Sequence, residues 1–113
     1  MPDDLATEDA KLVTLARAAR ARTGAADGAA VRDTTGRTYV ATTVALASLK
    51  LTALQAAVAA AVASGADALE AAAIVSAAEV ADAQGRAAVG DLTPGCPVVL
   101  ADPAGTVVSV DRA

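Results

Sequence analysis

At 113 residues the chain is long enough for one domain with a single core of two or three layers. A hydrophobic content of 55% and a mean hydropathy of +0.47 exclude disorder, and the longest uncharged run, Leu51–Ala66, is too short and too Ala-rich to span a membrane. A net charge of −4 and a lone aromatic residue, Tyr39, speak against nucleic acid, which needs a basic patch or a stacking platform.

The acidic start MPDDLATED is the opposite of a secretory leader, and a single cysteine, Cys96, makes no internal disulfide. A cytoplasmic protein is expected, with residues 1–6 disordered. Arg17, Arg20 and Arg22 read as a solvated helix face. With no Phe or Trp, the core falls to Leu, Val, Ile and Ala, whose small side chains bury little area each. Leftover Ala-rich surface favours self-association, so a homo-oligomer, dimer or tetramer, is expected.

In chain order, Thr7 caps a first helix with Glu8 and Asp9 in its first turn. Leu12, Leu15, Ala16 and Ala19 form its apolar face, and Gly24 ends it. GAAVRD and RTYVATTV flank TTGR as a hairpin with Gly36 at the turn. A helix runs from Thr52 to Ser64, entered through Ser48–Thr52, closed by Gly65 and apolar on nearly every side. AAAIVS is a buried strand, Ala77–Gln84 carries no clear signal, and GRAAVGDL is a short helix. PVVLAD and TVVSV are two strands joined by a Pro-Gly turn begun by Asp102 and Pro103. Helices interleaved with strands predict one mixed sheet covered on both faces, a three-layer α/β/α fold over residues 1–113.

Three stretches carry a resemblance. The tail TPGCPVVLADPAGTVVSV is similar to a "PV-hydrophobic-L" strand, an acidic-Pro-x-Gly turn and a final strand. GAAVRDTTGRTY is similar to a "VGAAL…DG" hairpin, and TTVALASLKLTALQAAV to "NVENASYGLTVCAERTA". Together, over about nine-tenths of the chain, they resemble the zinc-dependent cytidine deaminase family.

That resemblance implies a cytidine deaminase-like fold and a zinc centre whose ligands are absent. Laid without gaps, the first ligand position falls on Leu54, the proton-shuttling Glu on Ala56, and the two cysteines of "PCxxC" on Asp82 and Gly85. Such a centre needs three N or S ligands and a carboxylate to move the proton. The chain has no histidine and one thiol, so neither a cofactor nor a metal is expected. The ribose-holding Asn and Glu fall on Thr43 and Ala45, of which only Thr43 keeps a hydrogen-bonding group. Arg86 matches the arginine after the second cysteine. It lies four residues beyond Asp82, so an Asp82–Arg86 ion pair filling the vacated site stands against two solvated residues that never meet.

The remaining polar residues take plainer readings. Gln55, odd in an apolar helix, faces an interface or bonds a nearby backbone group. Cys96, between Gly95 and Pro97, has no basic neighbour to lower its pKa and reads as inert. Tyr39 packs, and Gly28 and Gly36 serve the backbone, since no phosphate-binding glycine pattern is present.

The expected function is a catalytically silent cytidine deaminase-like protein that oligomerises or binds a protein partner. The rivals are a non-catalytic nucleoside or small-molecule binder using Thr43, Gln55, Asp82 and Arg86, and a deaminase with displaced ligands. The chain ends VSVDRA where the family continues into a pocket-forming segment, a further departure from the pattern.

Overall fold

The computed structural model describes residues 5–113. The elements are α1 (Thr7–Thr23), β1 (Gly28–Asp33), β2 (Thr38–Thr42), β3 (Val44–Leu46), β4 (Leu49–Leu51), α2 (Ala53–Ala63), β5 (Leu69–Val75), α3 (Ala83–Leu92), β6 (Pro97–Ala101) and β7 (Val107–Arg112). Five strands form one sheet in the order β2-β1-β5-β6-β7. Only β5 and β6 run parallel, joined through α3; the other neighbours are antiparallel.

Alternation along the buried strands sorts side chains into two layers. Ala29, Val31, Ala72, Ile74, Val98 and Leu100 pack with Leu54, Ala57, Val58 and Ala61 of α2 and Val89 of α3. Ala30, Ala71, Ala73, Val75, Val99 and Ala101 pack with Leu12, Val13 and Ala16 of α1. The fold is therefore an α/β/α sandwich with α1 on one face of a mixed sheet and α2 and α3 on the other.

The Ala-rich strands bring α1 close. A Cβ on Gly28 would collide with the Ala16 carbonyl oxygen and lie 3.0 Å from Arg20 Cβ, so only glycine fits where β1 starts beneath the helix. Gly24 at φ 67° turns the chain out of α1, its amide bonded to the Arg20 carbonyl. Arg32 ties the same layers from the side, donating to Asp9 Oδ1 of α1 and Glu70 Oε1 of β5, each at 2.8 Å.

Several sequence expectations need correction. Ala6, not Thr7, precedes the first helical residue, and no side chain caps α1. Val13 takes the buried position expected of Leu15, which is partly exposed. A separate hairpin, β3–β4, occupies the stretch read as strand end and helix entry, pairing Val44 with Leu51 and Leu46 with Leu49. The central helix is open along one side, where Ala59, Ala60, Val62 and Ala63 face outward. Of the residues expected to be disordered, 1–4 lie outside the described ones, while Leu5 packs against the α1 core. Among the described residues, no helix is long and apolar enough to cross a membrane.

Candidate functional site

Two helix starts meet on the α2–α3 face. Helix α2 opens with a capping box: the Gln55 amide donates to Thr52 Oγ1 at 3.1 Å, and Gln55 Oε1 accepts from the Thr52 amide at 3.0 Å. This commits the side-chain oxygen of Gln55 to local backbone bonding. Helix α3 opens on Asp82, whose Oδ1 accepts from the Gln84 amide at 3.1 Å. Short polar caps thus allow both apolar segments to begin as helices here.

Three residues that the resemblance assigns to metal ligation come together at this junction. A Cβ built on buried Gly85 would lie 2.6 Å from Leu54 Cβ, 3.0 Å from Leu54 Cδ2 and against Asp82 Oδ2. Leu54 is fully buried and packs with Ala57, Val58 and Val89. Ala56, two residues on, has no polar side-chain atom. What converges is an isobutyl group, a backbone without a side chain and one carboxylate.

The Asp82–Arg86 ion pair does not form. Among the described residues the ion pairs are Lys11–Glu8, Arg32–Asp9 and Arg32–Glu70. Asp82 is held by its capping role, while Arg86 reaches across to β7 and donates from Nη2 to the Arg112 carbonyl at 3.2 Å. Asp82 Oδ2 and Arg86 Nε are each buried without a hydrogen-bond partner. The reason is geometric: i,i+4 spacing favours an ion pair only when both side chains lie free along the helix, and here one is folded back over the N-terminus.

Thr43 sits just past β2 and binds the chain entering β1. Its Oγ1 accepts from the Asp27 amide at 3.2 Å and lies 3.5 Å from the Asp27 carbonyl. Ala45 is exposed on the β3–β4 hairpin, opposite Lys50. Thr43 Oγ1, Gln55 Oε1 and Arg86 Nη2 therefore bond three separate pieces of backbone. Cys96 is buried, and loss of solvent pushes its thiol up to about 11, against a partial offset from Arg112.

The sequence reading missed one polar cluster, in the β1–β2 turn. Asp33 Oδ1 accepts from the Thr35 hydroxyl at 2.6 Å and from the amides of Thr35 and Arg37 at 2.9 and 3.0 Å, and Oδ2 accepts from Tyr39. These bonds, led by the Thr35 hydroxyl, hold its carboxyl down to about 2. The D-T-T-G spelling of an Asx turn was the available signal. Its work is architectural, since both carboxylate oxygens bond within the β1–β2 hairpin.

A hollow of about 370 Å³ lies on the opposite face between α1 and the β6–β7 turn, lined by Leu5, Val13, Thr14, Arg17 and Val107. Its one charged group, Arg17, donates to the Pro103 carbonyl at 3.2 Å. Asp102 occupies the turn amides of Ala104 and Thr106, leaving no array of free donors to hold an anion. Among the described residues no three His, Cys, Asp or Glu side chains cluster closely enough to hold a metal ion.

Comparison with known proteins agrees with the geometry of the fold. The family model described as cytidine deaminase-like matches residues 5–105. Among solved structures, the chain is similar to the cytidine deaminase from Burkholderia pseudomallei, at 26% identity and a TM-score of 0.78 over 90% of each chain. A mutant cytidine deaminase from Mycobacterium tuberculosis shares 25% identity at a TM-score of 0.68, over 90% of this chain and 88% of that one. The cytidine deaminase from Mycobacterium leprae, at 23% identity and a TM-score of 0.68 over 90% of each chain, shares the fold. No curated protein matches the chain.

Proposed function

The chain belongs to the cytidine deaminase-like family, and on that premise we propose that it is a catalytically silent member, acting by assembling with copies of itself or with a protein partner. The observation that carries this reading is the donor set where Leu54, Asp82 and Gly85 meet. A catalytic zinc needs three nitrogen, sulfur or carboxylate ligands and one open position. One carboxylate beside hydrocarbon cannot supply them, and its hard oxygen suits zinc less well than the missing thiolates. The zinc of the family does not fit these residues. Ala56 likewise has no group to carry a proton between water and a base.

Two surfaces support an assembling role. The outward side of α2 presents Ala59, Ala60, Val62 and Ala63, with Val62 52% exposed. The β3–β4 hairpin shows Leu46 and Leu49, paired across its tip and 60% and 48% exposed. Neighbouring apolar side chains on an open face favour burial against a second surface. The reading keeps the protein in the cytoplasm, where an unpaired thiol such as Cys96 stays reduced.

The experiment is a paired measurement on the purified protein: loss of cytidine absorbance and metal content. No turnover and no stoichiometric metal are expected. Turnover accompanied by a bound metal overturns the proposal. The nucleoside-binder alternative draws less support, because Thr43, Gln55 and Arg86 each bond a different piece of backbone and do not converge on one another. A nucleoside held at 100 times its Kd would add about 2.7 kcal/mol of stability, so a thermal scan without any shift is the expected result.

A further inference from the structure

We infer that the place a metal occupies in this family is closed mechanically, by the starts of α2 and α3 meeting where Gly85 has no side chain. The inference deepens the silent-member reading and rests on it. Gly85 lies in the first turn of α3 and is buried. A Cβ there would sit 2.6 Å from Leu54 Cβ and 3.0 Å from Leu54 Cδ2. Non-bonded carbons prefer about 3.5–4.0 Å. Leu54 Cβ is fixed to the α2 backbone, so no rotation of the side chain relieves the shorter contact. The two helices are closer than a pair of side-chain-bearing residues permits.

That closeness is incompatible with an ion between them. Thiolate ligands lie about 2.3 Å from zinc, and a tetrahedral arrangement holds two such sulfurs roughly 3.8 Å apart with the metal between. Here the corresponding space is filled by the isobutyl group of Leu54, which is 1% exposed. Loss of metal chemistry is therefore more than a loss of ligands. Bulk at position 54 and its absence at position 85 are fitted to each other, and the same closure denies a base or other small molecule entry at that point.

A double-mutant series tests the fit, with thermal and denaturant unfolding as readout. Alanine is the better helix former, so Gly85→Ala should stabilise α3 if space allowed. Instead, Gly85→Ala is expected to lower Tm by about 5 °C or more in the otherwise unchanged chain. The loss should shrink in a Leu54→Ala background, which removes Cδ2 and leaves Cβ, and shrink further in a Leu54→Gly background, which removes both. Should Leu54→Gly fail to fold, the first two members of the series still decide. An equal loss in every background, or a gain from Gly85→Ala alone, overturns the closure.

Zinc titration of the unaltered protein separates this inference from the reading beneath it. No shift in Tm and no metal retained after dialysis are expected. One zinc held per chain overturns the closure, and it overturns the silent-member reading as well when cytidine is turned over. A metal-free protein whose positions 54 and 85 show no coupling overturns the closure alone and leaves the silent-member reading in place.

Discussion

Tyr39 Oη donates a 2.8 Å hydrogen bond to Oδ2 of Asp33, closing the β1–β2 hairpin from the strand side while Oδ1 closes it from the turn side. The bond raises the phenol pKa and helps depress that of the carboxyl, so each group is held in its usual ionisation state at neutral pH. The only aromatic ring in the chain thus serves the turn and the edge of the core together.

A depressed carboxyl has a defined pH signature. The folded Asp33 carboxyl titrates at about 2 and the free one at 3.8, so its contribution is complete above about pH 4 and is lost as pH falls from there through 2. Asp33→Asn should lower Tm by several degrees at pH 7, and the gap from the unaltered protein should close by pH 2. A gap that stays constant over that range would show that the charge plays no part.

Arg32 bridges α1 and β5 with a side chain only 13% exposed. Arg32→Met, which keeps the aliphatic stem, should cost about 1–2 kcal/mol in urea unfolding. Asp9→Asn should cost more than Glu70→Gln, because Asp9 is 23% exposed and Glu70 is 44% exposed and better screened.

Cys96 should resist thiol reagents in the native state. Its thiol is pushed up to about 11 by burial against an ordinary value of 9.0, so almost no thiolate exists at pH 8. Labelling by a disulfide reagent should follow the unfolding curve in denaturant. The sign for stability is the reverse of Asp33: the raised pKa favours the folded state below pH 9, and that preference is lost as pH climbs through 11.

The capping box of α2 predicts a purely structural cost for Gln55. Gln55→Ala should remove about 0.5–1 kcal/mol of stability by freeing the Thr52 amide. Thermal scans with nucleosides should then match those of the parent protein, since the amide is committed to the helix start.

Assembly through the open apolar faces predicts that sedimentation will find oligomers. Val62→Glu should shift them toward monomer by placing a charge on the bared side of α2. Leu46→Glu does the same if the β3–β4 hairpin is the contact. Comparing the two variants tells which face is used, and a parent protein that sediments as a monomer removes the self-association part of the proposal.

Much of the architecture was legible because strongly patterned segments are governed by burial. The unbroken run AAAIVS reads as a doubly covered strand, and β5 is one, though it starts earlier, at Leu69. Gly24 and the Asp102–Pro103 turn mark ends that backbone geometry requires. The β3–β4 hairpin escaped notice because three-residue strands leave no alternation to count. Leu15 follows Leu12 at helical spacing, yet the sheet beneath α1 buries Val13 and leaves Leu15 partly exposed.

At the candidate site the sequence shows the residues Leu54, Ala56 and Gly85, but not how they pack. The absence of the Asp82–Arg86 pair could not be read there, since spacing along a helix says nothing about a cap competing for the carboxylate. Nor could the close approach of two helix starts, which depends on chain segments thirty residues apart.

Gly28 under α1, with Ala29, Ala30 and Ala71–Ala73 beside it, leaves the middle of the sandwich only a methyl group thick in many places. An interior of this kind accepts change in one direction only. Trimming removes little, but any enlargement wedges a helix off the sheet. Descendants of this sequence should therefore vary widely along the outer helix faces while position 28 stays glycine and the alanine sites interchange among glycine, alanine and serine.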